Sequence, residues 1–189
     1  MTIDAHSLSD SAIKGLSARI DRPVVLVGMM GVGKSTVGRK LAQLLDVPFA
    51  DADDEIEEAA QMTVVEIFER YGEAHFRDGE RRVIARLLQG GPMVLATGGG
   101  AFVQPATRAM ILERGIAVWL DSDVDTLLDR VGRKDSRPLL RGGDPREILT
   151  RLRAEREPFY AQAPIHIKSG SGPHQNTAML ILEELDRWL

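Results

Sequence analysis

Gly28-Met29-Met30-Gly31-Val32-Gly33-Lys34-Ser35 is a G-x-x-x-x-G-K-S run, and its spacing states a chemistry. Glycines so placed let the backbone curl until successive N–H groups point at a phosphate. A helix opening at the same point adds its positive N-terminal end. Lys34 can reach the β- and γ-phosphates of a nucleoside triphosphate, and the Ser35 hydroxyl can ligate Mg²⁺. The run fixes a phosphate donor and leaves the acceptor open.

Other residues could supply the acceptor side. Asp51-x-Asp53 follows a short apolar stretch, where one carboxylate could orient water on Mg²⁺ and the other face an acceptor hydroxyl. Acids at Asp53, Asp54 and Glu55 also suit the first turn of a helix. Arg77 and Glu80 share a helix face at i, i+3, which on a solvated surface would be an ion pair worth well under about 1 kcal/mol. Gly98-Gly99-Gly100 permits close backbone approach to a ligand and unusual φ values. Asp121 sits where an acid could face Mg²⁺, though a helix cap explains it equally. Arg130, Arg133, Arg137 and Arg141 cluster around a glycine-, proline- and charge-rich segment suited to closing over phosphates. His6, His75, His166 and His174 are scattered without metal-ligand spacing and read as surface or edge residues.

These groups need a scaffold that brings them together. Val24 to Val27 reads as a buried strand feeding the glycine run, and Thr36 to Leu45 as a helix with Val37, Leu41, Leu44 and Leu45 on one face. Val47 to Ala50, Met93 to Ala96, Ile116 to Leu120 and Ala163 to Lys168 are four more strands. Between them lie helices over Met62 to Tyr71 (Thr63 as cap), Glu73 to Leu88, Pro105 to Arg114 and Asp123 to Val131, the last capped by Asp121 or Ser122. A helix from Asp144-Pro145 and a last one over Gln175 to Leu189 complete the series. Strands alternating with helices predict a three-layer α/β fold, a doubly wound sheet of five mainly parallel strands. In such sheets ligands bind beyond the carboxyl ends of the strands, where the glycine run and Asp51 both fall. Residues 1–22 read as an extension, with Leu8, Ile13, Leu16 and Ile20 lining a short helix capped by Ser7 or Ser9.

Composition narrows the partners. One domain is expected for 189 residues with 43% hydrophobic content. A net charge of −4 argues against a broad nucleic-acid surface. The absence of cysteine excludes disulfides, zinc thiolates and cysteine nucleophiles, and fits a reducing cytoplasm. No apolar stretch approaches a membrane span, and Asp4 and Asp10 argue against a leader peptide at the N-terminus.

Together the motifs resemble the shikimate kinase family, from about Pro23 to the last helix. The resemblance rests on Gly28 to Ser35, Asp51-x-Asp53, Phe76-Arg77-x-x-Glu80 and Val94-Leu95-Ala96-Thr97-Gly98-Gly99-Gly100-Ala101-Phe102. Ser136-Arg137-Pro138-Leu139-Leu140 and Arg156-Glu157-Pro158-Phe159-Tyr160 extend it. It implies a P-loop NTPase fold like that of the nucleoside monophosphate kinases. A kinase domain would span 23–189, with substrate-binding helices over about 51–90 and a mobile lid over about 132–145. The implied reaction is ATP-dependent phosphorylation of the 3-hydroxyl of shikimate, giving shikimate 3-phosphate and ADP for chorismate and aromatic amino acid biosynthesis. Gly31, Val32, Gly33, Lys34, Ser35 and Thr36 would hold ATP, Arg130 would stack on adenine beside the turn after Lys168, and Arg137 would reach the transferring phosphate. Asp53 would bind the acceptor hydroxyls and serve as base. Arg77 and Arg156 would grip the substrate carboxylate, with Glu80 orienting Arg77. Gly98, Gly99 and Gly100 would contact a ring hydroxyl. Mg²⁺ would sit on Ser35 and, through water, Asp51. The resemblance further implies a cytoplasmic monomer acting on shikimate and ATP, with no nucleic-acid or membrane partner.

Two departures stand out. Ala96 replaces a Ser that many members carry and cannot help order water on Mg²⁺, a contact then lost or supplied by Thr97. Asp78-Gly79 is an unusual filling between Arg77 and Glu80. A gluconate kinase of the same fold is the alternative, since gluconate also carries a carboxylate. A GTPase switch would need N-K-x-D, which the chain lacks.

Overall fold

Successive side chains on a strand point to opposite faces, so four consecutive buried aliphatics need cover above and below. Val24, Val25, Leu26 and Val27 are all fully buried and form β1 (Val24–Val27), the central strand of a five-stranded sheet. The structure, a computed structural model, describes residues 8–131, 142–170 and 172–189. Strand order is β2-β3-β1-β4-β5, with β2 (Phe49–Asp51), β3 (Val94–Ala96), β4 (Ile116–Asp121) and β5 (Ile165–Lys168). Every pairing is parallel, Val25 facing Leu95 on one side and Ala117 on the other. Only edge strand β5 alternates buried and exposed residues, as an edge does.

Two helical layers cover the sheet. α1 (Asp10–Arg19), α2 (Lys34–Leu45) and α8 (His174–Trp188) pack on one another. α4 (Val64–Leu87), α5 (Pro105–Arg114), α6 (Val124–Val131), α7 (Pro145–Tyr160) and the short turn Ala101–Val103 form a second connected set, and α3 (Ala52–Ala60) joins it through α4. The expected three-layer doubly wound sheet is the observed one.

The N-terminal segment packs firmly. Ser9 caps α1, its Oγ accepting from Ala12 N at 3.3 Å. Ile13, Leu16 and Ile20 enter the main core, Ser17 Oγ donates to Leu45 O at 2.6 Å, and Arg19 pairs with Asp186.

Two boundaries differ from the sequence reading. β2 runs on to Asp51, which is also the N-cap of α3. Asp123, not Asp121 or Ser122, caps α6, accepting from Thr126 N at 2.8 Å. The two helices expected over Met62–Tyr71 and Glu73–Leu88 are present as the two segments of α4, which break at Gly72 (φ 81°, ψ 173°). Thr63 and Glu66 close a reciprocal capping box at its start. Around this pair of segments lies a second, smaller core of Ile56, Ile67 and Phe76, packed with Met62, Val64, Phe68 and Val83 and separate from the main one.

Candidate active site

All strands are parallel, so their carboxyl ends lie along one edge, and the chemistry-bearing residues follow those ends. They line one cleft of ≈ 610 Å³. Gly31, Gly33, Lys34, Ser35 and Thr36 come from β1 and its loop, and Asp51 and Asp53 from β2. Gly98, Gly99 and Gly100 follow β3, Arg77 and Glu80 project from α4, Arg130 from α6 and Arg156 from α7.

The loop needs its glycines. Gly28, Gly31 and Gly33 adopt φ of 138°, 81° and 101°, conformations that L side chains rarely adopt. A Cβ on Gly28 would also strike the Leu120 carbonyl. Lys34 is buried and its Nζ donates to Gly28 O at 2.6 Å and Met29 O at 2.9 Å, which fixes the ammonium across the loop mouth. Val32 serves the loop differently from its neighbours. Its side chain is in the core and its N–H bonds Met29 O, so it does not line the cleft.

Ser35 Oγ donates to the Asp51 carboxylate in a short contact, and the other Asp51 oxygen accepts from Asp53 N at 3.0 Å. Capping by Asp51 therefore sets Asp53 in the first turn of α3, facing the cleft. Burial raises the Asp53 pKa to about 6, with help from the charges of Asp51 and Glu80 and against the pull of Lys34.

Arg77 and Glu80 are no solvated pair. Arg77 Nη1 donates to Glu80 Oε2 at 2.7 Å, and the Glu80 side chain is 1% exposed. Burial pushes the Glu80 carboxyl up, while Arg77 and Arg156 hold it down. Arg156 is also buried, and its Nη1 has no hydrogen-bond partner among the described residues. Such a guanidinium nitrogen calls for an anion.

The three glycines after β3 owe their identity to space, not to unusual φ, for none has a positive φ. A Cβ on Gly100 would fall on the Arg77 guanidinium. One on Gly98 would lie 2.9 Å from Glu80 Oε1 and 3.2 Å from Asp53 Oδ1, and one on Gly99 3.2 Å from Arg156 Nη1. Each glycine thus packs against different polar residues of the cleft.

Some expectations move. Asp121 stands in an ion-pair cluster; its carboxylate takes Arg153 Nη2 at 3.1 Å and stands 3.4 Å from His166 Nε2. Thr97 Oγ1 is engaged with Leu26 O at 2.9 Å. Arg130 spans two segments, donating to Val32 O at 2.9 Å and Gly170 O at 2.8 Å. Arg133, Arg137 and Arg141 lie outside the described residues, as does the expected lid up to residue 141.

Other residues serve the cleft although the sequence reading gave them no part in it. Tyr160, buried at the end of α7, donates its hydroxyl to Gly99 O. Phe68 and Phe76, ring centroids 4.7 Å apart, line the cleft beside Arg77 and Glu80. His174 joins Arg130 at the other end. Tyr160 stood in the Arg156 to Tyr160 string without an assigned role, four residues after Arg156 on the same helix face.

The family model described as shikimate kinase matches residues 30–186. Over the full length of both chains, the protein is 69% identical to the shikimate kinase of Novosphingobium aromaticivorans. It is 56% identical to that of Bradyrhizobium diazoefficiens, over 90% of this chain and 82% of that one. The shikimate kinase of Acinetobacter baumannii, solved in complex with shikimate, superposes with a TM-score of 0.86 at 39% identity, covering 94% of this chain and 97% of that one. A gluconokinase from Sinorhizobium meliloti, at 17% identity and a TM-score of 0.56, shares the fold alone. A kinase cleft, a family model over most of the chain and a relative 69% identical from end to end agree: the chain belongs to the shikimate kinase family.

Proposed function

We propose that this cleft carries the family's reaction, transfer of the γ-phosphoryl group of ATP to the 3-hydroxyl of shikimate, through the following residues. The observation that carries the acceptor assignment is the buried Arg156 with its unpartnered Nη1, in the same cleft as Arg77, Asp53 and Lys34. Two guanidinium groups match a carboxylate fork, and Glu80 fixes the orientation of one of them. Asp53 takes the proton of the attacking hydroxyl. Its raised pKa is suited to that task, since a loose transition state keeps the proton on the hydroxyl until late. Lys34 and the backbone N–H groups of Gly31, Gly33, Lys34 and Ser35 hold the transferring phosphate, and Thr36 continues that cradle along α2. Arg130 bounds the nucleoside end, and Arg137, outside the described residues, is assigned the developing charge on the phosphate.

Ser35 and Asp51 fit Mg²⁺. A hydroxyl and a carboxylate oxygen adjoin each other at the ends of β1's loop and β2, and both are hard oxygen donors. When bound, Mg²⁺ neutralises phosphate charge. We place the protein as a cytoplasmic monomer; no described helix is long and apolar enough to cross a membrane.

A panel of hydroxy acids in a coupled ADP-release assay tests this reading. Shikimate should turn over at enzymatic rates and gluconate should not. Turnover of gluconate without shikimate would overturn it.

A further inference from the structure

The carbonyls of the glycine run after β3 are satisfied in two ways. Gly98 O accepts from Ala101 N and Gly100 O from Val103 N, both at 3.2 Å and both within the local turn. Gly99 O takes its donor from another element, the hydroxyl of Tyr160 at the end of α7. That side chain is 1% exposed, belongs to the main core and packs on Trp119 with ring centroids 6.1 Å apart. It does not line the cleft, whereas Gly98, Gly99 and Gly100 all do. Its hydroxyl therefore stands behind the run and draws the Gly99 carbonyl away from the cleft.

The peptide joining Gly99 to Gly100 is trans, so its carbonyl and its N–H point opposite ways. A carbonyl held toward the core leaves the Gly100 N–H facing the cleft. Glycine on both sides of the peptide makes it free to turn over unless something holds it. The neighbourhood makes its direction matter. A Cβ on Gly99 would lie 3.2 Å from Met30 N of the phosphate loop and 3.2 Å from Arg156 Nη1, so the peptide sits between the two ends of the transfer. The Tyr160 hydroxyl is itself 4.0 Å from Met29 Sδ of that loop.

We propose that Tyr160 is a positioning residue for the acceptor: by holding the Gly99 carbonyl behind the glycine run, its hydroxyl aims the Gly100 N–H at an oxygen of the bound acceptor. The proposal rests on reading the cleft as a shikimate site. Burial raises the phenol's pKa against the pull of Arg156, so the hydroxyl stays a donor. Without it the buried Gly99 carbonyl has no partner, and turning into the cleft satisfies that oxygen at the acceptor's expense. The rest of the segment keeps its own tie, since Arg108 donates to Phe102 O at 3.1 Å, Val103 O at 2.9 Å and Gln162 Oε1 at 3.1 Å.

Tyr160→Phe keeps the ring and removes the hydroxyl. Isothermal titration with shikimate and with ADP, and amide spectra of protein labelled with ¹⁵N-glycine, test the proposal. Tyr160→Phe should weaken shikimate by about 5- to 10-fold, the worth of one hydrogen bond, and leave ADP within about twofold. Shikimate should shift the Gly100 amide in wild type and much less in Tyr160→Phe, while ADP shifts the Gly31 and Gly33 amides alike in both. Unchanged shikimate affinity in the variant would overturn the proposal. An equal loss for ADP would do so too, making Tyr160 a support of the fold. A wild type whose Gly100 amide ignores bound shikimate would overturn it without recourse to the variant. A wild type that binds ADP but no shikimate would overturn the acceptor reading, and the proposal with it.

Discussion

Asp53 does its work at a cost to the fold. Its pKa is about 6 in the folded chain against 3.8 when unperturbed. Because the folded value is raised, the protonated form is favoured by folding, and that advantage is lost as pH rises through about 6. At neutral pH the ionised carboxylate therefore opposes folding, by about 1–3 kcal/mol after allowance for its face on the open cleft. Asp53→Asn should melt higher than wild type at pH 7.5 while kcat falls about 10²- to 10⁴-fold. In wild type, kcat/KM should decline below about pH 6 as Asp53 protonates. Thermal melts and a pH–rate profile check both; a variant that is active or melts lower would remove Asp53 from this role. Arg156 should divide the parameters differently. Arg156→Ala should raise the KM for shikimate about 10- to 100-fold, the loss of charge-assisted hydrogen bonds, with ATP affinity nearly unchanged. Arg156→Lys should rescue little, since an ammonium lacks the planar fork. If ATP affinity falls instead, the carboxylate assignment is wrong.

Among the elements, α4 holds two glycines with opposite consequences. Gly79 lies in regular helix between Arg77 and Glu80, and a Cβ there meets nothing within 4 Å. Gly79→Ala should stabilise the protein by about 1 kcal/mol, by helix propensity alone. Gly72 has equal space but φ 81°, so Gly72→Ala should destabilise it. Denaturant titrations of the pair separate space from conformation. These elements also show what a sequence discloses. The break at Gly72, the cap at Thr63 and the strand leading into the phosphate loop were legible because glycine, β-branched and capping residues act locally. The burial of Glu80 was not legible, because i, i+3 spacing is the same on a wet face and a dry one. The reason for Gly98 to Gly100 was hidden likewise: their neighbours Glu80, Asp53, Arg156 and Arg77 are far along the chain. His174 carried no signal at all, since the loop it stands against, at Gly33, lies far earlier in the chain.

Across the whole molecule, part of the cleft's wall answers to a hydrophobic core of its own. β1, α2 and the phosphate loop's Val32 belong to the large one, while α3 and much of α4 close over the small cluster of Ile56, Ile67 and Phe76. α3 and α4 are tied to the large core by Ala52, Ile84 and Leu88, and at the cleft Ser35 bonds Asp51 at the start of α3. Small cores open at lower free energy than large ones. Amide hydrogen exchange should therefore resolve two cooperative units, with residues 52–80 exchanging faster than β1 and α2. Shikimate should slow exchange in 52–80, and ADP should slow it around 31–36. Uniform exchange across both regions would mean that the two cores melt as one. On this view, the separation of the cores is an energetic seam. It would let the segment over the small core loosen while the sheet and the phosphate loop stay folded.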